Sequence, residues 1–88
     1  MKRAGPIELS QHPDWSSWRD LKIPLDGPAT AEWLVRAKAG LSHGLPGFES
    51  MEFEPGRPLL AVVLNQPRED ADAITAEVDA CLAGRGSA

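Results

Sequence analysis

Eighty-eight residues suffice for one domain, and a chain this short buries only about 60% of its unfolded surface. The net charge of −4, with Lys2-Arg3 as the only adjacent cations, argues against nucleic acid, whose phosphates demand Lys and Arg. The longest apolar run, Leu59–Leu64, is far too short to cross a bilayer. Cys81 stands alone and forms no intrachain disulfide, and Met1-Lys2-Arg3 precedes Gly5-Pro6 rather than a long apolar stretch. The expectation is a cytoplasmic protein with no nucleic-acid or membrane partner.

Residues 1–17 are rich in proline and polar residues. Ile7 and Leu9 alternate there, so the segment reads as an arm or a short edge strand. Residues 18–25 alternate apolar and polar, which places Leu21, Ile23 and Leu25 on one strand face. Pro24 interrupts this strand, because a residue without an N–H belongs at an open edge or a bulge. Asp26-Gly27-Pro28 reads as a helix start, with Asp26 or Gly27 as cap and Pro28 in the first turn. The helix is predicted over 28–42, with Leu34, Ala37 and Leu41 at helical spacing, Trp33 beside them and Gly40 as a weak point. Gly44 and Pro46-Gly47 end it.

Residues 48–53 form the next predicted strand, with Met51 and Phe53 sharing a face. Glu54-Pro55-Gly56-Arg57 reads as a type II turn, since proline presets the first central angle and glycine accepts the positive φ of the second. The strand 59–65 follows, so 48–65 is a hairpin. Pro67, Glu69 and Asp70 mark a second helix start. Its stripe is Ala71, Ile74, Val78 and Cys81 or Leu82, and Gly84 stops it before a frayed tail at 85–88.

This order gives an α+β domain over 18–84. It is a ferredoxin-like βαββα two-layer sandwich, an antiparallel sheet with two helices on one face. The final strand of that fold is missing or is replaced by the N-terminal segment.

Leu45-Pro46-Gly47-Phe48, followed by Met51 and Phe53, resembles the helix-to-strand joint of the heavy-metal-associated domains of copper chaperones and metal-pumping ATPases. The likeness covers roughly 20–84, with about one extra residue between Gly27 and Pro46. It implies a ferredoxin-like fold. That family binds metal through Gly-x-x-Cys-x-x-Cys ahead of the first helix. Here Thr30 and Trp33 stand nearest to the cysteine places, and neither offers the sulfur that copper(I) requires.

Other chemistry is sparse in the sequence. His12, His43 and Cys81 fall in an arm, at a helix end and within the last helix, which is not the spacing of a metal site. His43 suits the negative end of its helix. Cys81 lies on an apolar stripe with no cation or histidine within a turn to activate it, and so reads as a buried thiol. Ser16, Ser17, His12 and Asp14 lack a nucleophile elbow, and no glycine-rich phosphate loop or calcium loop is present. The acids Glu69, Asp70, Asp72, Glu77 and Asp79 read as a solvated helix face, and Glu49, Glu52 and Glu54 as the exposed side of a strand. No catalytic residue, metal ligand or cofactor is assigned.

Two features point to a surface. Trp15 and Trp18 stand three apart in the polar leading segment, either pinning it to the domain or forming a contact patch. Leu59–Leu64 is apolar on both faces, whereas a strand in a two-layer domain needs only one. The leading segment, a second copy or another protein must cover the spare face. The sequence therefore points to a non-catalytic interaction or dimerisation module, an accessory protein acting through Trp15, Trp18, Leu59, Ala61 and Val63. A degenerate carrier or sensor of metal or small ligands is the first alternative, and a subunit of an enzyme with an inter-subunit cleft is the second.

Overall fold

The structure, a computed structural model, describes residues 2–83. Six elements follow in order: β1 (Glu8–Gln11), β2 (Arg19–Pro24), α1 (Ala31–Gly44), β3 (Phe48–Met51), β4 (Leu59–Leu64) and α2 (Ala71–Leu82). They build one antiparallel sheet in the order β1-β2-β4-β3. The two helices pack against each other, and α1 also contacts β3. This is the ferredoxin-like sandwich, and β1 occupies the edge that the βαββαβ form gives to its last strand. The N-terminal segment thus supplies the replacement strand. The expected Gly84 stop and the tail 85–88 lie outside the described residues.

Period-two patterning sets the core. Leu21 and Ile23 of β2 and Leu60, Val62 and Leu64 of β4 are buried beneath the helices, where they meet Leu34 and Leu41 of α1 and Ile74, Val78 and Cys81 of α2. Ile7 and Leu9 pack at the margin of this cluster, which explains their alternation.

The β1–β2 pairing also resolves the place of Pro24. Continuous pairing stops at Glu8↔Lys22 and resumes only as a bridge at Arg3↔Leu25. Five steps of chain on one side therefore oppose three on the other, and the excess bulges at Gly5-Pro6. Pro24 sits opposite that bulge, so its missing donor breaks no ladder. Its carbonyl accepts the Ala4 N–H at 2.8 Å. Arg3 closes the arm onto α2, donating to both carboxylate oxygens of Asp79 at 2.9 and 3.0 Å.

Four local expectations are corrected. The first helix begins at Ala31, not at Pro28. Ala29 is buried and exchanges hydrogen bonds with the hairpin turn, its N–H donating to the Arg57 carbonyl (3.0 Å) and its carbonyl accepting from Gly56 N–H (2.7 Å). These bonds hold the link extended, and Thr30 becomes the cap, its Oγ1 accepting from the Trp33 N–H at 3.1 Å. Likewise α2 starts at Ala71, and Pro67 lies in the preceding link. Asp70 holds the cap position there, but its carboxylate is taken by Arg68 at 2.8 Å.

β3 ends at Met51 and carries an irregularity between Phe48 and Ser50. Met51 is buried while Phe53, beyond the strand, is exposed, so the two do not share a buried face. The turn reading is sound, since Gly56 has φ +93°. Gly40, read as a weak point, has a packing reason. A Cβ there would lie 2.8 Å from the Cys81 carbonyl oxygen, so the helices touch backbone to backbone.

Candidate interaction surface

Both helices lie on one side of the sheet. Among the described residues, no helix or strand covers the other side. Its residues follow from the register. Glu8 faces Lys22, which faces Ala61; Ser10 faces Asp20, which faces Val63, which faces Ser50; Pro24 faces Leu59. Glu52 joins them, its N–H donating to the Ala61 carbonyl at 2.9 Å. Leu59, Ala61 and Val63 are half-buried between their neighbours, whereas Leu60, Val62 and Leu64 are fully sealed beneath the helices. Ala61 and Val63 floor an open groove of about 350 Å³ whose polar walls are His12, Asp20, Lys22, Ser50 and Glu52.

The leading tryptophans do not fold across this groove. Trp15 and Trp18 lie in the β1–β2 connection, at the end of the sheet. Their rings stack on each other with centroids 5.5 Å apart and planes tilted by 34°. Neither packs against the core, and Trp15 is 56% exposed. The Trp18 N–H donates to the Trp15 carbonyl (2.9 Å) and the His12 N–H to the Trp18 carbonyl (3.2 Å), which closes the loop. His12 links loop and groove. Its ring meets Trp18 edge-on at 5.8 Å, its Nδ1 accepts from the Asp14 N–H, and its Nε2 lies 4.0 Å from Asp20 Oδ1.

The charge of this face is mainly negative. Glu8, Asp20 and Glu52 oppose a single ammonium, Lys22. Asp20 Oδ1 is occluded and accepts no hydrogen bond. At one corner Arg57 reaches Glu54 at 2.8 Å and Glu52 at 4.0 Å. The hydrogen bond from Arg57 holds the Glu54 carboxyl below the usual carboxylate range.

The five residues expected from sequence thus fall in two neighbouring groups. Leu59, Ala61 and Val63 share the helix-free face, and Trp15 and Trp18 form a stack at the end of the sheet. The sequence reading missed His12, Asp20, Lys22 and Ser50 as groove residues. Asp20 and Lys22 carried a signal, since alternation with Leu21 and Ile23 turns them to the face opposite the core. His12 and Ser50 carried none, because their places depend on strand pairing.

Thr30 and Trp33, nearest to the cysteine places of the heavy-metal-associated domains, have structural work here. Thr30 caps α1 and Trp33 packs on the core. No group of three or more His, Cys, Asp or Glu converges among the described residues. Cys81 is buried, and burial together with the nearby Glu77 carboxylate pushes its thiol pKa up. Among the described residues no helix is long and apolar enough to cross a membrane. No protein-family model, curated protein or solved structure matches the chain.

Proposed function

We propose that this protein is a non-catalytic association module that docks through the helix-free face of its sheet. One observation carries the reading. β4 presents Leu59, Ala61 and Val63 on the side away from both helices, in the middle of the sheet, and the sheet's end carries a tryptophan pair of which Trp15 is exposed. Apolar side chains on the central strand of an uncovered face suit a surface that is covered in use. Tryptophan adds large contact area at small entropic cost, and it is enriched among residues that dominate binding energy. The groove walls offer single charges rather than a nucleophile beside an oriented base, which favours binding over chemistry.

The test is site-specific photo-crosslinking in intact cells. A photoreactive residue at Val63 is expected to trap one discrete species. The same group at Val35, which is 60% exposed on the outside of α1, is expected to trap none. Failure of position 63 to give an adduct, or the same products from both positions, would sink the reading. The adduct mass separates a second copy from a different protein.

A further inference from the structure

We propose that the occupant of this face is a short cationic segment of another protein, one that alternates Lys or Arg with apolar residues. The inference rests on the association reading above and names the chemistry of the partner. Three observations lead to it.

The first is size. Four strands at about 4.8 Å spacing, paired over about five residues of 3.3 Å rise, give a face of roughly 300 Å². A stable protein complex commonly takes about 800 Å² from each partner. Two copies stacked on this face alone fall well short of that, while a single peptide segment is matched to it.

The second is charge. Face-to-face pairing of two copies would bring together two faces that each carry Glu8, Asp20, Glu52 and Glu54 against Lys22 and Arg57, so both are net negative. Like charges brought together in this way weigh against a homodimer. A cationic segment meets the same groups as partners. Asp20 in particular keeps its side chain 27% exposed, with His12 Nε2 at 4.0 Å as its one nearby basic partner.

The third is the aromatic pair. The exposed Trp15 stacks on Trp18, which touches the groove through His12. Indole faces attract guanidinium and ammonium groups, Arg above all. The floor of Ala61 and Val63 offers apolar contact between the charges.

The test uses the full chain and two synthetic peptides, one alternating Lys with Val and ending in Arg, the other with every cation replaced by Glu. Binding is followed by tryptophan fluorescence and by amide NMR shifts. The cationic peptide is expected to saturate, with shifts at Asp20, Ala61 and Val63, and to bind at least about tenfold more tightly than the acidic one. Raising salt from about 50 to about 500 mM should weaken it severalfold, as screening shortens the reach of surface charge.

Two variants give opposite signs. D20N/E52Q should weaken binding about five- to tenfold without a change in the thermal midpoint, and Lys22→Glu should strengthen it. A loss of folding cannot imitate that gain. Absence of saturation, equal binding of the two peptides, shifts confined to the helices, or no gain in Lys22→Glu would each overturn the proposal. An adduct at position 63 with a second copy, or with an acidic segment, would leave the association reading standing and remove this one.

Discussion

Replacing Gly40 with alanine sets two opposing effects against each other, and the structure says which wins. Alanine is a better helix former than glycine by about 1 kcal/mol in a helix interior, so a lone helix would gain from Gly40→Ala. In the folded protein the new Cβ would stand 2.8 Å from the Cys81 carbonyl oxygen, 3.6 Å from its carbon and 4.0 Å from its Cα. Ordinary contact begins near 3.4 Å, so the helices must part by roughly half an ångström. The obstacle is backbone in the last turns of α2, which cannot swing aside as a side chain can. Inserting a carbon into such a contact commonly costs about 1–3 kcal/mol. The net is a loss of about 1 kcal/mol, or a fall of about 4–8 °C in the thermal midpoint for a domain of this size. The assay is thermal and urea unfolding followed by far-ultraviolet circular dichroism. Gly27→Ala is the matched control, since nothing lies within 4 Å of its added carbon. It should stay within about 1 kcal/mol of the parent, on either side. Gly40→Ala melting at or above the parent temperature would refute the close-packing argument and leave Gly40 as an ordinary weak helix former.

Thr30→Ala should cost about 1 kcal/mol through loss of the α1 cap, while Asp26→Ala leaves the helix start unchanged; urea midpoints compare the two. Asp79 has its carboxyl held below the usual range by hydrogen bonds from Arg3. A carboxyl with a lowered folded pKa adds stability above its unfolded value of about 3.8, and that stability is lost as pH falls through the folded value. Asp79→Asn should therefore narrow its stability deficit to the parent on titration from pH 5 towards pH 2, and melting curves with parallel pH dependence would contradict the ion pair. The Cys81 thiol, buried and pushed up in pKa, should react with a thiol reagent at pH 8 far more slowly in the native protein than in urea. Comparable rates in the two states would mean that α2 does not shield it.

Local chemistry makes much of this protein legible in its sequence. The alternation of Leu21 and Ile23, the helical spacing of Leu34, Ala37 and Leu41, and the Pro55-Gly56 turn each carry their conformation in residue type and spacing. So does the double-faced character of Leu59–Leu64, which pointed to a surface needing cover. What tertiary structure decided was whatever depends on partners distant in sequence. The first helix is capped by Thr30 and begins at Ala31 because Ala29 is tied to Gly56 and Arg57, some 27 residues on, and no local capping preference encodes that tie. Gly40 is favourable rather than weak only because Cys81, 41 positions later, presses a carbonyl against it. The leading segment becomes a strand because β2 offers a free edge and Gly5-Pro6 bulges opposite Pro24. The groove likewise joins Asp20, Ser50 and Val63 from three strands with His12 just after β1 and Glu52 just after β3. Period-two alternation could say which side of its own strand each residue takes, but only the register could set them side by side.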